Sequence, residues 1–277
     1  MPNVYRLTFL ENDMSTAPSK GTALITGSST GIGAIYADRL ARRGYDLILV
    51  ARNQERLTAL AGKLSAETGR SVKTLAVDLN NKAALASVEA VLRDDPSITL
   101  LVNNAGIGSV ASILKGDVDA MEDMISLNIT ALTRLTYAVA PAFVARGTGT
   151  LINISSVVGI AVEALNGVYS ASKSYVLSFG HTLQRDLGDK GVRIQTVLPG
   201  ATATEFWDVA GYAPQKTGAN TMSAADLVDA ALAGLDLGEQ VTIPGLHEAA
   251  AWTAWEAGRR ALSPQFVNAQ PAPRYNV

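Results

Sequence analysis

Residues 22–33 read TALITGSSTGIG, and this stretch decides the fold. Its first five residues predict a short buried strand, and the glycines that follow mark a tight turn into a helix that begins near Ile32. Glycines in the spacing T-G-x-x-x-G-x-G let backbone amides approach a pyrophosphate, which the positive end of a helix dipole stabilises. The stretch therefore predicts a dinucleotide-binding βα unit. The alternative is a glycine turn that only closes the unit.

The same alternation of strand and helix continues along the chain. Short apolar runs occupy residues 22–26, 46–51, 72–77, 98–103, 149–154, 192–198 and 240–243. Longer amphipathic runs occupy residues 32–43, 54–68, 82–93, 118–146, 166–187, 224–237 and 249–262. Alternating strands and helices form parallel sheets, and strands that are apolar throughout are covered on both faces. We therefore expect a doubly wound (Rossmann) α/β domain with about seven parallel strands and helices on both faces.

Nothing in the sequence divides the chain, so a single domain is expected over residues 19–277. In residues 1–18 only the run 4–10 is moderately apolar, and we expect these residues to be a flexible N-terminal segment, with Met14 as an alternative start. Residues 201–223 directly follow a predicted strand and lack a regular pattern. We interpret them as a substrate loop, since long irregular segments at strand ends often cover binding sites. A variable surface loop is the alternative.

The composition excludes several classes of protein. The chain has 277 residues, of which 48% are hydrophobic and 17% charged, with a formal net charge of −2 and no cysteine. Such a charge gives no case for nucleic acid or an acidic membrane as partner, and no apolar run approaches the roughly 18 residues of a transmembrane helix. The lack of cysteine excludes a disulfide scaffold and agrees with a cytoplasmic location. His181 and His247 stand isolated, so no metal site is predicted.

The end of the second strand bears on the choice of dinucleotide. A carboxylate about 20 residues after the glycine turn would bind the ribose hydroxyls of NAD. This chain has Ala51-Arg52 there, with no acid to repel a 2′-phosphate and an arginine to bind one. NADP(H) is therefore favoured, while NAD(H) stays possible because Arg52 is also explained as a solvated surface charge.

Tyr169 and Lys173 are four residues apart on a predicted helix and so share one face. A cation beside a phenol stabilises the phenolate and lowers its pKa from about 10, so Tyr169 is a candidate acid–base group. Ser156 follows the fifth strand, where open α/β sheets bind ligands, and its hydroxyl is placed to hold a substrate oxygen. The Tyr–Lys pair alone would be unremarkable; its combination with the glycine turn carries the interpretation.

These segments together resemble the short-chain dehydrogenase/reductase family over about residues 20–204. The likeness rests on residues 26–33, Asp78-Leu79, residues 103–106, Asn128, Ser156, residues 169–173 and Pro199-Gly200. The resemblance implies that Tyr169 is the acid–base residue and that Ser156 positions the substrate. It also implies that Lys173 binds the nicotinamide ribose and lowers the pKa of Tyr169, and that Asn128 holds a water in a proton relay.

The resemblance further implies a set of cofactor-binding residues. They are Gly27, Ser29, Thr30, Gly31, Ile32, Gly33, Arg52, Asp78, Leu79, Asn104, Ala105, Gly106, Tyr169, Lys173, Pro199, Gly200, Thr202 and Thr204, where Thr202 is the alternative to Thr204 as partner of the carboxamide. Thr30 is a departure, because some NADP-using members carry a basic residue at this position. The preference for NADP therefore rests mainly on Ala51 and Arg52.

The expected function is an oxidoreductase that transfers a hydride between NADPH and a carbonyl/alcohol substrate, as a ketone or aldehyde reductase. The mostly apolar residues 105–110, 157–164 and 206–212 would shape a pocket for a hydrophobic substrate. The resemblance also implies a homodimer or homotetramer in which helices at 118–146 and 166–187 pack across an interface. Two alternatives stay open: an NAD-dependent alcohol dehydrogenase of the same family, and a non-catalytic NADP-binding sensor or scaffold.

Overall fold

The computed structural model describes residues 19–211 and 220–275. Its strands are β1 (Thr22–Thr26), β2 (Asp46–Ala51), β3 (Val72–Ala76), β4 (Ile98–Asn103), β5 (Gly149–Ile154), β6 (Val192–Val197), β7 (Thr202–Ala203), β8 (Met222–Ser223) and β9 (Val241–Thr242). Its helices are α1 (Gly31–Arg42), α2 (Gln54–Thr68), α3 (Lys82–Asp94), α4 (Val118–Ile125), α5 (Leu132–Arg146), α6 (Gly167–Leu187), α7 (Phe206–Ala210), α8 (Ala224–Asp236) and α9 (Ala249–Leu262). The predicted flexible segment 1–18 lies outside the described residues.

Seven strands of the described chain form one sheet in the order β3-β2-β1-β4-β5-β6-β9, with every neighbouring pair parallel. The predicted doubly wound α/β fold is confirmed. The direction of winding reverses between β1 and β4, which are paired neighbours. Ligands of open α/β sheets bind outside the carboxyl ends of the strands at this reversal.

Two apolar layers enclose the sheet because successive strand residues point to opposite faces. In β1, the side chains of Ala23 and Ile25 enter one layer and that of Leu24 enters the other, and all three are fully buried. The first layer also contains residues of α1, α2 and α8, and the second contains residues of α3, α5 and α6. Burying one such side chain contributes about 1.5–3 kcal/mol, so these two layers hold the strand ends at fixed positions.

The amphipathic run 118–146 is divided into three parts, unlike the continuous helix that its pattern predicts. α4 ends at Ile125, a π-helical turn covers Ser126–Ala131, and α5 continues from Leu132 with Pro141 inside it. A π-turn holds an extra residue and often occurs at functional sites. Hydrophobic periodicity does not detect one inserted residue, which explains why the sequence pattern missed it.

The predicted substrate loop, residues 201–223, has regular structure at both ends. β7 pairs in parallel with β8, and α7 lies between them and begins at Phe206. Residues 212–219 of this segment lie outside the described part. Within the described ranges, none of the helices has the length and apolarity needed to cross a membrane.

Candidate active site

A cavity of about 620 Å³ opens at the carboxyl ends of the strands, beside the pair β1 and β4. It brings together all the predicted site residues except Gly33 and Asn128. The glycine turn and Arg52 lie at one end of the cavity, and Ser156, Tyr169 and Lys173 line the other. Gly27 and Lys173, which are 146 positions apart in the sequence, thus share one cleft, as the alternating pattern predicted.

The glycine turn fits closely against the segment after β4. Gly27 and Gly31 have φ angles of +64° and +55°, which favour glycine. A Cβ on Gly33 would lie 2.3 Å from the carbonyl oxygen of Gly27, so a side chain would force the turn open. Thr26 Oγ1 accepts hydrogen bonds from the backbone N–H groups of Asn104 and Ala105, each at 3.0 Å. Gly33 is therefore needed for the conformation of the glycine turn, although it does not itself line the cavity.

The first turn of α1 presents backbone amides to the cavity. Its N-cap residue, Thr30, makes no side-chain capping hydrogen bond, whereas the N-caps Asn53 and Asn81 accept bonds from the first turns of α2 and α3. Unpaired amides at a helix N-terminus bind phosphate groups well. This arrangement, together with the glycine cradle, fits the pyrophosphate of a dinucleotide.

Two arginines line the cavity beyond the end of β2. Arg52 is exposed and forms no ion pair with an acidic residue in the described part of the chain. Arg56, in the first turn of α2, donates to Glu205 Oε2 at 2.7 Å. Arg56 was not among the predicted site residues; the available signal was its position four residues after Arg52, in the first turn of the predicted helix. The pair of guanidinium groups suits a phosphate better than the hydroxyl groups of an unmodified ribose.

Tyr169, Ser156 and Lys173 form the other end of the cavity. The Tyr169 side chain is buried, and the side chain of Ser156, whose hydroxyl donates to the Pro199 carbonyl oxygen at 3.3 Å, lies near the Tyr169 hydroxyl. Lys173 Nζ donates to the carbonyl oxygen of Ile154 at 3.0 Å and lies 5.7 Å from the centre of the Tyr169 ring. Ser155 supports this arrangement, because its hydroxyl donates to the Lys173 carbonyl oxygen at 2.6 Å.

Burial controls the ionisation of this pair. It raises the pKa of Tyr169 to about 12, against the opposing effect of the Ser156 hydrogen bond, and lowers the pKa of Lys173 to about 8. The sequence predicts a lowered pKa for Tyr169 beside Lys173. In this structure the pKa is raised instead, because the loss of hydration of the phenolate outweighs the effect of Ser156. Tyr169 is therefore a protonated phenol near neutral pH.

Asn128 lies in the π-turn, behind the cavity wall. Its Oδ1 accepts from the Ile107 backbone N–H and its Nδ2 donates to the Ile107 carbonyl oxygen, each at 2.9 Å. Nδ2 also donates to Ser172 Oγ at 3.1 Å. A Cβ on Gly106 would lie 3.1 Å from Asn128 Oδ1 and 3.5 Å from Lys173 Nζ, so this glycine lets the amide and the ammonium approach each other.

The wall around the Tyr169 ring is mainly apolar. Tyr169 packs in a cluster with Met124 and Val158, against which further apolar side chains lie. Those lining the cavity include Ile107, Leu165 and Phe206. The predicted pocket segment 206–212 thus contributes at least Phe206 and Trp207, while Tyr212 lies outside the described residues.

The histidines and the tryptophans of α9 lie apart from this cavity. His181 Nε2 lies 3.3 Å from Glu256 Oε1, and Trp252 stacks on Trp255 at 4.9 Å between ring centroids. No group of three or more potential metal-binding side chains occurs among residues 19–211 and 220–275.

The fold and this cavity define an oxidoreductase of the Rossmann type. The chain belongs to the short-chain dehydrogenase family, because the family model described as "short chain dehydrogenase" matches residues 21–213. An uncharacterized oxidoreductase of Staphylococcus saprophyticus is 32% identical over 222 residues, which cover 80% of this chain and 93% of that protein.

Two solved structures are similar over most of this chain. A short-chain dehydrogenase from Sphingobium yanoikuyae in complex with NADPH is 48% identical, with a TM-score of 0.89 over 92% of this chain and 100% of the other. A bulky-bulky ketone specific alcohol dehydrogenase from Comamonas testosteroni is 42% identical, with a TM-score of 0.85 over 92% of this chain and 98% of the other. The predicted family and enzyme class are confirmed.

Proposed function

We propose that this chain reduces a ketone or aldehyde with NADPH, with Tyr169 as the proton donor. The observation that carries the proposal is the single cavity that holds the glycine turn at one end and the Tyr169–Ser156 pair at the other. A dinucleotide bound along this cavity would extend from the phosphate cradle to the acid–base group. The NADPH complex of the Sphingobium enzyme supports the same choice of cofactor.

The residues present fit such a dinucleotide. Gly27 and Gly33 allow the tight turn that would hold the pyrophosphate beside the amides of α1, since a Cβ at either position would collide with neighbouring protein atoms. Arg52 and Arg56 would hold the 2′-phosphate, and Asp78 and Leu79 line the cavity where the adenine would bind. Lys173 would bind the nicotinamide ribose, and Pro199, Thr202 and Thr204 would lie around the nicotinamide and its carboxamide.

NADPH supplies the hydride when it is bound, and the protein supplies the proton and the orientation. Tyr169 is protonated at neutral pH because burial raises its pKa to about 12, so it can donate to a carbonyl oxygen. The Ser156 hydroxyl, which donates to the Pro199 carbonyl oxygen in this structure, would turn to donate a second hydrogen bond to the substrate oxygen and stabilise the charge that develops there. Below pH 8, the cationic Lys173 favours a phenolate after the proton has left Tyr169.

Asn128 would connect Lys173 to solvent through a bound water. Its amide is anchored on both sides by Ile107, and Gly106 leaves its Oδ1 close to the Lys173 ammonium. Such a relay would return a proton to Tyr169 after each turnover. Asn128 is thus assigned a positioning role in the proposed reaction.

The apolar wall favours a hydrophobic carbonyl substrate. Within the described chain, the groups around Tyr169 that line the cavity are mainly apolar or aromatic, and Glu163 is exposed outside it. Burying a charged substrate group against such a wall without a partner would cost several kcal/mol. The bulky ketones named for the Comamonas enzyme agree with this substrate class.

The test is the loss of nicotinamide absorbance with a panel of apolar ketones and aldehydes. NADPH and NADH are compared, and Tyr169→Phe and Tyr137→Phe are measured beside the parent protein. The proposal predicts turnover with NADPH that falls about 10²–10⁴-fold in Tyr169→Phe and stays unchanged in Tyr137→Phe, whose ring is 69% exposed. Preference for NADH would favour the NAD-dependent alternative, and tight NADPH binding with no turnover would favour the sensor.

A homodimer or homotetramer and a cytoplasmic location remain part of this proposal. Support for assembly comes from an aromatic row across α5 and α6, in which Phe179 stacks on Tyr137 at 6.4 Å and on Tyr175 at 5.7 Å between ring centroids. Exposed aromatic side chains are typical of protein interfaces. Sedimentation equilibrium of the parent and of Tyr137→Glu tests whether this row is buried between subunits. The cytoplasmic location rests on the cysteine-free sequence.

A further inference from the structure

Phe206 is the first residue of α7, and its ring covers part of the Tyr169 side chain. The two ring centroids are 5.7 Å apart with an interplanar angle of 43°, and Trp207 meets the Phe206 ring edge-on at 5.3 Å. Phe206 and Trp207 both line the cavity. An aromatic ring at this position limits the space available on one side of the acid–base hydroxyl.

The Phe206 ring packs directly against Gly108. Gly108 is buried, and a Cβ built on it would lie 2.3 Å from Phe206 Cζ, with the next two nearest atoms also in the Phe206 ring. Gly108 is not among the glycines with positive φ, so its backbone would accept a side chain. What excludes a side chain at this position is the ring of Phe206.

We propose that Phe206, which packs against Gly108, is a specificity-determining residue. Its ring limits the size of the substrate group that is attached to the carbonyl carbon and lies beside Tyr169. This inference rests on the proposed reduction of a carbonyl. The substrates selected are ketones and aldehydes with an apolar, flat substituent that packs against the Phe206 ring, since aromatic rings favour such contacts. A second bulky substituent on that side competes with the ring for space.

The geometry predicts opposite effects for the two partners. Removing the ring enlarges the space beside Tyr169, so Phe206→Ala admits larger ketones. The added methyl group of Gly108→Ala pushes the Phe206 ring away from residue 108 and into the cavity that the ring lines, so larger ketones are excluded. Because the methyl group acts only through the ring, it has no effect once the ring is gone.

The experiment compares kcat/KM for an aryl methyl ketone and a diaryl ketone, with NADPH, in a double-mutant cycle. The diaryl to aryl methyl ratio should rise about tenfold in Phe206→Ala and fall about tenfold in Gly108→Ala, as expected for one pocket contact. Gly108→Ala/Phe206→Ala should match Phe206→Ala. Phe266→Ala, which removes a ring that is 76% exposed and outside the cavity, is the control and should match the parent.

Two results would overturn the inference while leaving the proposed function intact: an unchanged ratio in Phe206→Ala, or a Gly108→Ala effect that persists without the ring. If Phe206→Ala does not fold, Phe206→Leu keeps an apolar side chain and should still raise the ratio. A parent protein that reduces neither these ketones nor any carbonyl of the panel would contradict the proposed function itself, and the inference with it.

Discussion

The side-chain amide of Asn128 and the backbone of Ile107 form a reciprocal pair of hydrogen bonds, each 2.9 Å long. This pair ties the π-turn to the segment that follows β4 and so fixes one wall of the cavity. Asn128 is 2% exposed, so its amide depends on these protein partners rather than on solvent.

Asn128→Ala should therefore lower the free energy of unfolding by about 1–3 kcal/mol, because two half-buried backbone groups of Ile107 lose their partners. Reductase activity should fall as well, through the displaced Ile107 segment and the interrupted relay. Urea unfolding and kcat measure the two effects. Asn268→Ala, which removes an exposed amide, should leave both unchanged. A stable variant with full kcat would contradict the assigned role.

The pH dependence should differ between the two directions of the reaction. Reduction uses the proton of Tyr169, which persists to about pH 12, and the charge of Lys173, which is lost above about pH 8. Its kcat/KM should therefore be level below pH 8 and fall above it. Alcohol oxidation begins from the phenolate, so its kcat/KM should rise with pH over the same range.

Lys173→Arg provides the control for this profile, because a guanidinium stays charged up to a pH above 12. In the residual activity of Lys173→Arg, the fall in kcat/KM for reduction should begin at a higher pH than in the parent protein. Reduction by the parent protein that stays level to pH 10 would show that the charge of Lys173 is not required.

Replacing Arg52 should change the preference between the two nicotinamide cofactors. Arg52→Ala removes a charged hydrogen-bond donor from the 2′-phosphate, which is worth about 1.5–3 kcal/mol and corresponds to about 10–150-fold in the KM for NADPH. The KM for NADH should not change. Arg93→Ala on α3, away from the cavity, is the matched control. An equal rise in the KM for NADPH and for NADH would show that Arg52 does not act through the 2′-phosphate.

Two glycine substitutions should have opposite effects on stability. In Gly33→Ala, the new methyl group meets the Gly27 carbonyl oxygen at 2.3 Å, so we expect a loss of about 1–3 kcal/mol and weak NADPH binding. In Gly62→Ala, within α2, no atom lies within 4 Å of the new Cβ, so the helix should gain up to about 1 kcal/mol. Thermal unfolding and titration with NADPH separate these outcomes, and similar behaviour of the two variants would argue against the close fit of the turn.

The sequence predicted the fold in detail because its signals are local. Strand β1 is apolar and ends in a glycine turn, and its observed bounds, Thr22–Thr26, are those that were predicted. Helix spacing indicated Tyr169 and Lys173, a strand end indicated Ser156, and the resemblance to the family then implied their roles; the structure places all three in one cavity.

Long-range contacts and the burial of particular side chains could not be predicted from the sequence. The direction of the Tyr169 pKa depends on how completely the fold removes water from the phenol, while sequence spacing reveals only the neighbouring charge. The contact between Gly108 and Phe206 joins the segment after β4 to the start of the short helix α7, and neither segment has a periodic sequence pattern. The ion pair of Arg56 with Glu205 was missed for the same reason.

Because Ser126–Ala131 forms a π-helical turn, the position of α5 depends on the exact number of residues in this region. An α-helix advances about 100° and 1.5 Å per residue, so deleting one residue here would rotate α5 and shift it along its axis relative to α4. Buried side chains of α5 such as Leu135 and Phe143 would then leave the sheet. A one-residue deletion would thus move either Asn128 or the whole buried face of α5 at once, whereas a substitution at a position other than Asn128 leaves both in place.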